Sequence, residues 1–179
     1  MTQPSSQAPW RKDAETFFKA LDGYDQVNGL YTKAVLKVSF CELYAYANNQ
    51  QHEATPALKK ALSSDLRTRR DLNLLLRKHA IAFMERAAAA SSGDIEKREG
   101  DGFNLTLKPS KANPDQIYLI IEAFEREEIP TLLFIESDEV GVLRLKIDDY
   151  YDGEAQILLS SQDDVVKALR NHASEVILR

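Results

Sequence analysis

The chain has 179 residues, 44% of them hydrophobic and 28% charged, with a net charge of −5 and one cysteine. That is a globular composition, neither fibrous nor disordered, and a single thiol excludes an internal disulfide. Residues 1–12 lack the roughly 7–15 apolar residues of a secretory signal, and residues 34–47, interrupted by Lys37 and Glu42, fall short of the roughly 20 that a membrane span needs, so a cytoplasmic protein without a membrane segment is expected.

Charge and periodicity both change near Gly100. Residues 1–100 carry 15 Lys/Arg against 12 Asp/Glu, a balance of +3; residues 101–179 carry 8 against 16, a balance of −8. Apolar residues recur every three or four positions before the change and every second position after it, which predicts a helical half joined to a strand-rich half. The halves can attract each other or meet different partners.

In chain order, residues 1–12 read as a disordered tail. A short helix is expected over 13–21, ended by Asp22-Gly23. A second is expected over 25–47, with Val27, Leu30, Tyr31, Ala34, Val38, Cys41 and Ala45 on one stripe and Leu36, Phe40, Leu43 and Ala47 on another. Two stripes cover more than one face, which suits a central helix or one paired with another chain. Cys41 reads as a small buried apolar residue. Thr55-Pro56 starts a third helix to about residue 62, and Asp65 caps a long fourth over 66–90, broken by Ser91-Ser92-Gly93. Residues 91–102, with three glycines among charges, read as a linker.

Beyond the linker, Phe103, Leu105 and Leu107 alternate as one face of a strand. Residues 115–124 fit a helix or a strand, and the β-rich run from Ile117 to Ile121 favours the strand. Further strands are expected over 131–136 and 142–148, the latter with Leu143, Leu145 and Ile147 inside and Val142, Arg144, Lys146 and Asp148 outside. Asp152-Gly153 marks a turn before a strand over 156–160, a helix follows over 162–171, and residues 175–178 close the sheet. The fold class is therefore α+β: an N-terminal helical segment of about four helices (13–90), then a mainly antiparallel, sandwich-like or rolled-sheet domain (103–179) with one or two helices.

The catalytic inventory is thin. His52, His79 and His172 fall in three elements without metal-ligand spacing, and there is no Gly-rich phosphate loop, nucleophile elbow or dinucleotide fingerprint. No catalytic residue, metal or cofactor is assigned. His79 reads as a core or boundary histidine. The acidic run 148–154 matches no calcium loop and reads as a solvated hairpin. Glu122, Glu125, Glu127, Glu128, Glu136, Asp138 and Glu139 read as solubilising and edge-protecting charges.

Arg67, Arg70, Arg77 and Lys78 share one sector of the long helix, with Lys59 and Lys60 upstream and Asp65 and Asp71 interrupting. This stripe, with Tyr31, Phe40 and Tyr44 from the apolar stripes, is the candidate partner-binding set. It faces a protein partner or the acidic second half, and nucleic acid is disfavoured because nearby acids offset the cations. The run Glu42-Leu43-Tyr44-Ala45-Tyr46-Ala47, with residues 57–62 and 65–76, resembles the helical sigma-binding segment of bacterial anti-sigma factors over about a fifth of the chain. It lacks the Cys and His ligands of the zinc-containing members and the membrane span that many carry.

The function expected is that of a non-enzymatic regulatory or adaptor protein that binds a partner, or a second copy, through its helical half. The alternatives are an enzyme or small-ligand binder with a site between the halves, and a weak nucleic-acid-binding regulator using the basic stripe.

Overall fold

The computed structural model describes residues 38–86, 95–124 and 128–179. These hold three helices, α1 (Phe40–Asn48), α2 (Pro56–Ser64) and α3 (Leu66–Lys78), then strands β1 (Ala82–Met84), β2 (Lys97–Gly100), β3 (Phe103–Pro109), β4 (Gln116–Ala123), β5 (Leu132–Ser137), β6 (Gly141–Lys146), β7 (Tyr150–Tyr151) and β8 (Glu154–Ser160), helix α4 (Asp164–Arg170) and strand β9 (Glu175–Leu178). The strands form two antiparallel sheets, ordered β1-β9-β5-β6 and β2-β3-β4-β8-β7.

The expected N-terminal four-helix segment is not what forms. Among the described residues the four helices are spread through the chain, with α4 inserted between β8 and β9. The expected helix over 66–90 ends at Lys78, and Ala82–Met84 instead pair with Val176–Leu178 of the last strand. Ala80, Phe83 and Met84 fit a helical period, but Ala82 and Met84 also alternate around Phe83. Burial of Ala82 and Met84 between the sheets selects the strand. Likewise Lys97–Gly100, expected as linker, pair with β3. The first expected helix and the part of the second with Val27, Leu30 and Tyr31 lie outside the described residues. α1 begins at Phe40, where Ser39 caps it by accepting from the Glu42 backbone N–H. Cys41, expected to be buried, is exposed at the start of that helix. The ambiguous segment is strand β4, each second residue of which is buried.

Two cores divide the molecule into three layers. Between the sheets lie Phe103, Leu105, Leu119 and Ile121 of one and Leu133, Ile135, Val176 and Leu178 of the other, joined by Val166 and Leu169 of α4. On the opposite side of the first sheet, Leu132, Phe134 and Ile177 meet Leu43, Tyr46, Leu58, Leu62, Leu72, Leu75 and Leu76 of α1–α3. The first sheet is thus covered on both faces, which is why β5 and β9 read as continuous apolar runs rather than alternating ones. Arg144, expected outside, does lie on the far side of β6 from the sheet–sheet core, but that side faces the helices. Its guanidinium stacks 4.8 Å above the Tyr46 ring.

Candidate functional site

Helix α3 carries the stripe singled out in the sequence. Asp65 starts it: one carboxylate oxygen accepts from the Arg67 N–H at 3.1 Å, the other from the Thr68 N–H at 3.3 Å and the Thr68 hydroxyl at 2.6 Å. Burial pushes the Asp65 pKa upward, but the Thr68 hydroxyl, the two backbone donors and the Arg67 charge together hold it below the ordinary value. Leu72, Leu75 and Leu76 enter the helix–sheet core. With 3.6 residues per turn, Leu66, Arg67, Arg70, Leu74, Arg77 and Lys78 gather on the opposite, outward side. Leu66 is 73% exposed and Leu74 43%, so two leucines stand among the cations.

The cations differ in what they do. Arg70 is exposed and makes a long contact to Asp71, at 3.8 Å, while Arg67 is half-buried beside the Asp65 cap. Lys78 is exposed in the last turn. Arg77 is turned towards the first sheet. Its Nε donates to Glu175 Oε1 at 2.9 Å, Nη1 lies 3.9 Å from Glu85, and the guanidinium covers the Phe83 ring at 5.3 Å. The hydrogen bond to Glu175 raises its pKa.

Glu175 belongs to a polar knot at the end of that sheet. Glu136 and Glu175 are direct cross-strand partners on β5 and β9, an arrangement that like charges oppose. Asn73 offsets it by donating one amide N–H group to Glu136 at 2.6 Å and to Glu175 at 3.4 Å. Arg86 lies 4.0 Å from Glu136 and 2.9 Å from Asp138. This knot is not legible in the sequence because its hydrogen bonds join residues 52 to 102 positions apart.

Phe40 and Tyr44 are half-buried against the helix–sheet core, with Tyr44 meeting the Phe40 ring at 6.0 Å and the exposed His79 ring edge-on at 6.5 Å. Tyr31 lies outside the described residues. The leucines missed in the sequence were signalled by their spacing, Leu66, Arg70 and Leu74 falling four apart on one ridge.

Two other arginines are held by neutral acceptors. Arg144 donates to the carbonyls of His52 and Asn49, while Lys146 pairs with Glu53 at 2.9 Å, so the loop after α1 is clamped to β6. Desolvation lowers the Arg144 pKa and is also the main cause that raises that of Tyr46 beneath it. Arg98, buried on β2, donates Nη2 to the Ser174 carbonyl at 2.6 Å. Among the described residues its Nη1 and the Ser174 hydroxyl have no hydrogen-bond partner. Among the described residues no group of three or more His, Cys, Asp or Glu stands where it could hold a metal, and no helix is long and apolar enough to cross a membrane. The acidic run 148–154 holds β7 and the turn into β8, where Asp152 and Gly153 have φ of 52° and 83°, as a two-residue Asp-Gly turn requires.

Compared with known proteins, the chain matches no family model, no curated protein and no solved structure, so the site is read from its own geometry.

Proposed function

We propose that this is a non-enzymatic regulatory or adaptor protein that binds another protein surface through the outer face of α3. The observation that supports the reading is the pair of exposed leucines, Leu66 and Leu74, set among Arg67, Arg70 and Lys78 on a helix whose opposite side is anchored in the core. Apolar anchors with a cationic rim suit an acidic protein surface that carries apolar side chains. Phosphate binding needs several cations free to act together, and Arg77 is engaged with Glu175. Asn73 and Arg77 likewise engage both oxygens of Glu175, the more buried of the two paired carboxylates, which speaks against acid–base chemistry there.

Affinity capture with the native chain and with Leu66→Glu/Leu74→Glu tests this. We expect proteins retained by the native chain to be lost from the variant while its circular dichroism is unchanged. Retention of the same set by both would refute the reading. Neither form should bind random duplex DNA at physiological salt.

A further inference from the structure

Resting on that reading of α3, we propose that the surface it fits is the outer face of the second sheet on another copy of this chain, so that copies associate head to tail. The three layers place the two surfaces on opposite sides of the molecule, α3 on the outside of the helical layer and the β2-β3-β4-β8-β7 sheet on the far side. The side chains of that sheet which point away from the sheet–sheet core include Tyr118, Ile120 and Leu158, and Tyr151 at its edge. Leu158 is 48% exposed and Tyr151 85%.

Charge chooses the occupant. Glu122 and Glu154 are direct cross-strand partners on this open face, and Tyr151 stands opposite Glu154 on the next strand. Two carboxylates held side by side repel. Among the described residues neither forms an ion pair within 4.0 Å; Glu154 accepts from Gln156 Nε2 at 2.6 Å, and Lys97, paired with Glu99 at 2.6 Å, acts on Glu122 from farther off. This end of the face therefore offers an acidic pair only partly offset by Lys97 and bordered by apolar side chains, the inverse of the leucines and arginines on α3, while Lys108 stands beside Tyr118 towards the other end. The dimensions agree as well. Leu66 and Leu74 are about 12 Å apart along a helix, and the Tyr151–Glu154 row lies about 13 Å from Leu158 along a strand. Leu66 then meets Tyr151 and Leu74 meets Leu158, while Arg70 and Arg67 reach the Glu122–Glu154 pair and can stack on the tyrosine.

Because the joined surfaces differ, the contact is heterologous and does not close at two copies. Sedimentation of the full chain tests this across concentrations up to hundreds of micromolar. The native chain should show an average mass that rises past the dimer. Leu74→Glu and Leu158→Glu should each be monomeric alone, and an equimolar mixture should form dimers and nothing larger, since each variant keeps one intact face. A monomeric native chain, a mixture that stays monomeric, or a dimer that survives Leu158→Glu would overturn the proposal. In the first case, a partner still lost from Leu66→Glu/Leu74→Glu leaves the α3 reading standing with a different protein as occupant. A partner retained by that variant removes both.

Discussion

Asp65 ends α2 and begins α3, so one carboxylate determines how two helices meet. Replacing it by Ala should cost about 1 kcal/mol, the ordinary worth of an N-cap, in urea denaturation. Its native pKa lies below the ordinary aspartate value of 3.8, so its contribution is complete above that value and is lost as pH falls through the lower native one. Acid denaturation of the native chain and of Asp65→Ala should therefore converge below pH 3.8 and differ by a constant amount above it. A gap that widened in acid would contradict this. Glu175 acts over a longer range. Glu175→Ala should cost about 1–2 kcal/mol, a value moderated by the exposure of Arg77, and less once Arg77 is already Ala. The Asp65 cap was readable because a cap and its donors are three residues apart. The Arg77–Glu175 and Arg144–His52 contacts were not, because nothing in local spacing couples residues that far apart.

At the scale of elements, β3 and β4 follow the alternation of their sequences, β5 and β9 are continuous apolar runs, and the turn before β8 follows Asp152-Gly153. The helix over 66–90 failed where two periods coincide. Residues 80–84 satisfy both patterns, and tertiary context decides between them: β9 as a pairing partner and a place for Ala82 and Met84 between the sheets. Arg144 and Val142 were read as solvent-facing because alternation tells one face of a strand from the other, but not whether the second face is covered by helices. β1 and β2 also meet where Gly100 leaves room for Met84: a Cβ at Gly100 would stand 2.5 Å from Met84 Cγ. Gly100→Ala should lower stability by about 1–2 kcal/mol. In a Met84→Ala background it should cost much less, as thermal melts of the four forms of the cycle would show. An equal cost in both backgrounds would mean that β1 does not lie over Gly100.

At the scale of the molecule, the first sheet is shared between two cores, so helices and sheets depend on one another. Phe134 is fully buried on the helical side of β5 and touches the Tyr46 ring at 5.8 Å. Phe134→Ala should remove about 3–5 kcal/mol and lower helical and tertiary circular dichroism signals together, in one transition. The charge asymmetry of the sequence is visible in the fold: part of it is neutralised internally where Arg77 and Arg86 of the first half meet Glu175 and Asp138 of the second, and part remains on the outer faces. The outer face of α3 is the claim on which the function rests. Its most direct measurement is site-specific photocrosslinking in cells, with a benzophenone side chain at Leu74 and a control at the exposed Lys111. A discrete crosslinked protein, a second copy included, is expected at Leu74 and none at Lys111. No crosslink at Leu74, or the same products at both positions, would contradict it.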